Sequence, residues 1–299
     1  MTRRVLFVGD AMLDVVVQPL TRRAPTSDTP SRIQVARGGS AANLAVALRS
    51  VVGESFEVSF AGTVGDDAAA YLVREDLERS RVLAHLREVS GATGVVVSLV
   101  GEQGERAMMS DRGVNSALRY EHVATWMDDS LAHLHVSGYT ILDPHTRAVA
   151  TRLLGYAHSL GATTSIDVCS VEPLLRAGVE EFTDATRGAT MIFANEEEAT
   201  ALAGASEIDS ALASLARSWS EVVVTCGARG ALVRHQGRDY SAPARSGDVV
   251  DTTGAGDAAT GTYLGERLNG RGVQSALNDA MFAAARVVGG LGSRGKRRD

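Results

Sequence analysis

The strongest constraint on the fold is a series of short apolar runs, each rich in β-branched residues and each closed by Gly, Asp or Asn. They lie at 4–9 (RVLFVG), 57–62 (EVSFAG), 131–138 (LAHLHVSG), 163–168 (TTSIDV), 190–195 (TMIFAN) and 221–227 (EVVVTCG). Near-continuous apolar runs suit strands covered on both faces. Helical patterns separate several of them. In 145–160, Val149, Leu153, Tyr156 and Leu160 recur on one face, and 206–218 and 272–289 also read as helix. Strand–helix alternation predicts an α/β fold: a central, mostly parallel sheet flanked by helices in a Rossmann-like three-layer arrangement. Such sheets bind ligands outside the carboxyl ends of their strands. Asp10, Asp14, Asp167, Asn195 and Thr225, which close these runs, are therefore expected along one edge.

Two segments break the alternation. Residues 14–38 hold a strand, a polar Pro/Ser/Thr stretch and a second strand; residues 92–111 hold two strands around a Gly-bearing turn. Neither leads into a crossover helix, so both are expected as antiparallel pairs outside the main sheet, forming a small lid. At 299 residues the length alone suggests two domains. The continuous alternation instead points to one α/β domain over 1–299, with lid strands inserted at about 14–38 and 92–111.

Hydrophobic residues make up 44% and charged residues 22%, which excludes a disordered or collagen-like chain. A net charge of -6 gives no support to bulk nucleic-acid binding. The 2 cysteines, Cys169 and Cys226, are too few for a disulfide framework. The apolar run Val5–Val8 is too short for a secretory leader, and no stretch reaches membrane-spanning length, so a cytoplasmic location is expected.

Two glycine clusters carry the chemistry. Asp251-Thr252-Thr253-Gly254-Ala255-Gly256-Asp257 precedes a helical stretch. Small residues at a helix start let several backbone N–H groups converge, which suits a phosphate. An acid placed there repels a phosphate unless it serves as a base for an attacking hydroxyl, though Asp257 also suits a plain first-turn acid. The loop lacks the Lys-Ser/Thr ending of a Walker A motif. Arg37-Gly38-Gly39-Ser40-Ala41-Ala42-Asn43 also opens a helix. It reads either as a ligand approach with Asn43 one turn in, or as a simple junction capped by Ser40.

GGSAAN near residue 40, DTTGAGD near residue 250 and the opening Gly9-Asp10-x3-Asp14 together resemble the ribokinase (pfkB) family of carbohydrate kinases. Further landmarks follow in order: Gly62 with Gly65-Asp66-Asp67, Gly104-Glu105-Arg106 with Gly113 and Asn115, Ser137-Gly138-Tyr139, Asn195-x-x-Glu198 and Val224-Thr225-x-Gly227. The resemblance implies a ribokinase-like fold and ATP-dependent transfer of a γ-phosphoryl group to a hydroxyl of a small sugar or sugar-like alcohol. It assigns Asp257 as the base and the amides of Gly254, Ala255 and Gly256 as an anion hole. Asp14, Gly38, Gly39, Asn43 and Asn115 would hold the acceptor. Asn195, Thr225, Gly227, Gly254 and Gly256 would border the nucleotide. Asn195 and Glu198 would organise Mg²⁺ through water, and Asp251 and Thr253 resemble a K⁺ loop. Lids pair between subunits in several relatives, so a homodimer is implied.

Departures are visible too. Cys169 stands where many relatives carry Asn. Ser40 stands where some members, ribokinase among them, have Lys, and this modestly weakens a reading as ribokinase itself or as a phosphosugar kinase. His133 and His135 share a strand face with no third ligand in view, so they read as structural. Arg106 reads equally as an acceptor contact and as a solvated lid charge. Three alternatives are distinguishable. A nucleoside kinase of this fold needs a stacking wall, and aromatics are only 5%. An inactive sugar or nucleotide sensor is disfavoured by the intact Asp257 and glycines. A nicotinamide-dependent oxidoreductase needs G-x-G-x-x-G after the first strand, where Gly9-Asp10-Ala11-Met12-Leu13-Asp14 stands instead.

Overall fold

The structure is a computed structural model, and it describes residues 2–22, 26–101, 106–245 and 254–288. Its strands in chain order are β1 (Arg3–Val8), β2 (Met12–Pro19), β3 (Ser31–Gly38), β4 (Phe56–Val64), β5 (Leu83–Glu88), β6 (Gly94–Val100), β7 (Arg106–Asp111), β8 (Leu131–Val136), β9 (Thr163–Asp167), β10 (Met191–Asn195), β11 (Glu221–Thr225), β12 (Ala231–His235) and β13 (Arg238–Ala242). Nine of them form the main sheet in the order β13-β12-β11-β10-β9-β8-β1-β4-β5. Pairing is parallel from β11 through to β5, and β12 and β13 extend the β11 edge antiparallel.

Every expected apolar run is one of these strands. Three strands escaped that pattern. β5 is the far edge of the sheet, and β12–β13 is a hairpin at the other edge. Edge strands are half exposed and alternate with charge, which dilutes the apolar signal. The hairpin turns on Gln236 (φ 50°) and Gly237 (φ 71°), a left-handed pair matching the twist of the flanking strands.

Helices cover both faces. Helices Ser40–Val52, Ala68–Arg79, Ala255–Leu268 and Val273–Val288 bury one core with Val5, Phe7, Phe60 and Phe193. Helices Arg147–Ser159, Glu196–Ala203 and Ile208–Leu215 bury the other with Leu6, Val8, Leu134 and Ile192. His133 and His135 sit fully buried on the first face. His133 Nδ1 lies 2.7 Å from Thr163 Oγ1 and its Nε2 2.8 Å from Ser165 Oγ, which also takes His135 Nδ1 at 2.9 Å. Burial pushes the His133 imidazole down to about 3, so the rings are neutral packing elements.

The two expected lid segments are the second sheet, ordered β3-β2-β6-β7. Each segment is an antiparallel pair, and a parallel β2–β6 pairing joins them. Period-two alternation separates its faces. Asp14, Val96 and Ser110 lie in one row across β2, β6 and β7, and Val35, Val15, Val97 and Met109 in a row of the opposite parity.

Candidate active site

Close packing of two helices builds the site. Helix Ala255–Leu268 lies against helix Ser40–Val52, and glycine makes that approach possible. A Cβ on Gly261 would stand 2.6 Å from Ala47 Cβ and 2.7 Å from the Leu44 carbonyl. Gly39, N-cap of the first helix, has φ 90°, and a Cβ there would meet the Asp10 carbonyl at 2.2 Å. Both contacts hold the two helix starts at the carboxyl edge of the sheet.

A cavity of about 580 Å³ opens there, between the strand ends and the second sheet. Its wall includes Asp14, Gly39, Asn43, Asn195, Glu198, Thr225, Gly254, Gly256 and Asp257, so residues spread over the whole sequence converge as expected. Ala255 is the first residue of the helix between Gly254 and Gly256. Gly38 does not line the cavity; its lack of a side chain leaves room for Asp14, whose carboxylate a Cβ would meet at 2.0 Å. Gly227 opens a turn after β11 at φ 55° and is also off the wall. Asp251 and Thr253 lie outside the described residues.

Asn115 is brought near the site but is spent on the chain. Its Oδ1 accepts from the Ala11 amide at 2.8 Å, and its Nδ2 donates to the Arg112 carbonyl at 2.8 Å and the Ala11 carbonyl at 3.1 Å. It is buried and does not line the cavity.

Asp257 is the third residue of its helix. Gly254 caps that helix in the left-handed conformation (φ 74°), and no side chain among the described residues caps it. The first-turn amides therefore remain available at the cavity, where Gly254 and Gly256 are exposed to it. Asn43 Nδ2 donates to Asp257 Oδ2 at 2.8 Å, and Ser40 Oγ lies 3.3 Å from Asp257 Oδ1. Ser40 donates more closely to Asp167 Oδ2 at 2.5 Å, so it bridges two carboxylates rather than capping its own helix. Burial pushes the Asp257 carboxyl up to about 6, with Asp167 adding to the rise and Asn43, Ser40 and Arg37 opposing it. Asp14 is likewise pushed to about 6 by burial, against the charge of Arg37.

Asn195 and Glu198 form a reciprocal capping box. Asn195 Oδ1 accepts from the Glu198 amide at 2.8 Å, and Glu198 accepts from the Asn195 amide at 2.9 Å and from its Nδ2 at 2.8 Å. The box is more than a cap, because Glu198 is buried and lines the cavity. Burial, with Asp167, Glu197 and Asp257 nearby, pushes its carboxyl up to about 7.

Arg112, Met108 and Ser110, also on the wall, were not singled out from sequence. Arg112 holds Asp10 with two hydrogen bonds of 2.7 Å and reaches Asp143 at 2.5 Å. Met108 and Ser110 line the cavity from β7, as the alternation of that strand shows once its register is known. Cys169 stands at φ 73° with its thiol 3.3 Å from Ser137 Oγ, and burial pushes that thiol well above its ordinary pKa.

Comparison with known proteins agrees with this fold. The pfkB family of carbohydrate kinases matches residues 2–297. The ATP-dependent ribose-1-phosphate kinase of Halopiger xanaduensis is 32% identical over 302 residues, covering 97% of this chain and 94% of that one. The ribokinase of Bacillus subtilis is 23% identical over 295 residues, covering 98% and 95%. The adenosine kinase of Sinorhizobium meliloti superposes with a TM-score of 0.86 at 25% identity, covering 98% of this chain and 96% of that structure. A parallel sheet with its cavity at the carboxyl edge, set beside these matches, defines an ATP-dependent carbohydrate kinase. The chain belongs to the pfkB family.

Proposed function

We propose that the chain transfers the γ-phosphoryl group of MgATP to a hydroxyl of a small sugar or sugar-like alcohol, with Asp257 as general base. One observation carries this reading: a half-buried carboxylate stands in the first turn of a helix that no described side chain caps, and Gly254, Gly256 and Asp257 of that turn line the same cavity. The acceptor hydroxyl gives its proton to Asp257 as its oxygen attacks the γ-phosphorus. The bond from that phosphorus to the ADP oxygen breaks. Amides of Gly254, Ala255 and Gly256 receive the charge that develops on the transferred group. Asp14, Gly39 and Asn43 hold the acceptor, with Gly38 making room for Asp14 and Asn115 holding the chain at Ala11 and Arg112. Asn195 and Thr225 border the nucleotide, with Gly227 turning the chain beyond β11.

The donor set fits Mg²⁺ held through water. Glu198, Asp167 and Asp257 crowd negative charge at one end of the cavity, yet no three acidic, His or Cys groups among the described residues converge closely enough to coordinate an ion directly. Glu198 and Asn195 would hold the ion's waters, and the ion would neutralise phosphate charge. A K⁺ site at Asp251 and Thr253 remains a proposal from the sequence; equal activity in potassium and in a bulky organic cation would dismiss it.

A nucleoside acceptor is the second reading. It is favoured by Met12, Val96 and Met108, which add an apolar wall beside Asp14, and by the adenosine kinase likeness. A phosphorylated acceptor, as the name of the Halopiger relative indicates for that enzyme, would meet Arg112, already held by Asp10 and Asp143. Measuring ADP release with pentoses, hexoses, keto-sugar acids, phosphosugars and nucleosides separates these acceptors. No release with any of them would favour an inactive sensor.

The second sheet is proposed as a lid that excludes water from the reacting phosphoryl group, within one kinase domain. Its outer row keeps Val35 52% and Met109 51% exposed, with Ile33 62% exposed beside them. An apolar face of this size supports a homodimer formed through the lid, which a monomeric mass in solution would refute. A cytoplasmic location is proposed; no described helix is long and apolar enough to cross a membrane.

A further inference from the structure

We infer that Arg37, near the end of lid strand β3, is a positioning residue that acts through Asn43 to fix the hydrogen bond received by Asp257. The inference rests on the reading of Asp257 as the base.

Arg37 is a lid-strand residue that turns into the protein, with a side chain only 4% exposed. Its Nε donates to Asp76 Oδ2 at 2.9 Å, and its Nη1 donates to Asn43 Oδ1. The other end of the Asn43 amide, Nδ2, donates to Asp257 Oδ2 at 2.8 Å. Four elements are thereby linked in one line: helix Ala68–Arg79 through Asp76, β3 through Arg37, helix Ser40–Val52 through Asn43, and helix Ala255–Leu268 through Asp257.

An asparagine amide is nearly symmetric in shape, and only its partners decide which end is which. A guanidinium can only donate and an ionised carboxylate can only accept. With Arg37 on one side and Asp257 on the other, one orientation makes two charge-assisted hydrogen bonds. The flipped orientation sets two acceptors face to face at Asp257 and two donors face to face at Arg37. Arg37 thus aims the NH₂ group at the base, and Asp76 aims Arg37.

A structural role alone accounts poorly for the residue. A buried ion pair such as Arg37–Asp76 is about break-even against apolar packing of the same volume. The planar fork of a guanidinium is needed to serve Asp76 and Asn43 at once, and a lysine ammonium does not reproduce it.

The test is a mutant cycle in the full chain, using ATP and an acceptor that the wild type phosphorylates. Arg37→Gln is combined with Asp76→Asn so that the buried pair is neutralised together, and this variant is compared with Asn43→Ala and with all three changes. Both the neutralised pair and Asn43→Ala should lower kcat about 10- to 100-fold, with the KM for ATP within about twofold of wild type. All three together should be no slower than Asn43→Ala alone, because residues acting through one contact are not additive. Melting temperatures are read alongside. Losses that multiply, or an unchanged kcat in the folded neutralised-pair variant, overturn the inference. If that variant does not fold, Arg37→Lys replaces it, and a wild-type kcat there overturns the inference equally. A wild type that releases no ADP with any acceptor overturns the kinase reading itself, whereas multiplying losses in an active enzyme overturn only the role of Arg37.

Discussion

Asn43 and Asp257 stand 214 positions apart in the chain, yet the amide of one donates to the carboxylate of the other at 2.8 Å. Each lies in the first turns of a helix, and Gly261 lets those helices pack closely enough to bring them together. The contact joins the two glycine-rich segments, so the residue expected to meet the acceptor also steadies the proposed base.

With Asp257 as the base, activity should follow its ionisation. A carboxyl held near 6 is mostly protonated at pH 5 and cannot accept a proton there. Turnover should therefore rise about tenfold from pH 5 to a plateau above pH 7. Asn43→Leu removes a hydrogen bond that favours the ionised form and should move this limb to higher pH. A flat profile between pH 5 and 7, measured at saturating ATP, would contradict the assignment.

Stability should run the other way. The unfolded carboxyl ionises near 3.8 and the folded one near 6. Well below pH 3.8 both states are neutral and the site costs nothing. Between pH 4 and 6 the unfolded chain loses its proton first, so folding weakens as pH rises, and the full cost is present above 6. Asp257→Asn should therefore be more stable than wild type at pH 8, by about 1–2 kcal/mol after allowing for solvent in the cavity. The gain should vanish well below pH 3.8. Denaturant titrations at both pH values check it.

Asn115 is predicted to act on stability before binding. Asn115→Ala strips the buried Ala11 amide of its acceptor and removes two donated bonds, at a cost of about 2–3 kcal/mol. The melting temperature should fall by roughly 4–10 °C. An unchanged melting temperature with a raised acceptor KM would make Asn115 a direct acceptor contact instead.

Cys169 holds a left-handed backbone (φ 73°) that a thiol-bearing residue adopts only under strain. Asn tolerates this region better than Cys does. Cys169→Asn should stabilise the fold by about 0.5–1 kcal/mol. A loss of stability in thermal melts would show that the thiol contact with Ser137 outweighs the strain.

Much of this architecture can be read from the chain because buried parallel strands are written in unbroken apolar runs. The apolar stretches of β1, β10 and β11 are of this kind, and the polar residues that follow or end them mark the edge of the candidate site. β5, β12 and β13 are not, because edge strands share their composition with loops. The glycine clusters are legible for a related reason: close approach and left-handed φ angles at Gly39 and Gly254 tolerate little else. Long-range polar pairs are another matter. Arg112 with Asp10 and Asp143, or Arg37 with Asp76 and Asn43, are ordinary charges in sequence and acquire meaning only when the fold brings them into contact. Asn115 shows the converse: a motif residue spent on the backbone that shapes the site.

The most direct measurement is ADP release by Asp257→Asn beside wild type, at pH 7.5 with saturating MgATP and the best acceptor. The substitution keeps the shape and removes only the capacity to take the proton. Turnover should fall by roughly 10²–10⁴-fold while ATP binding, followed by calorimetry, stays within about twofold. Near-normal turnover in the folded variant would contradict Asp257 as the base.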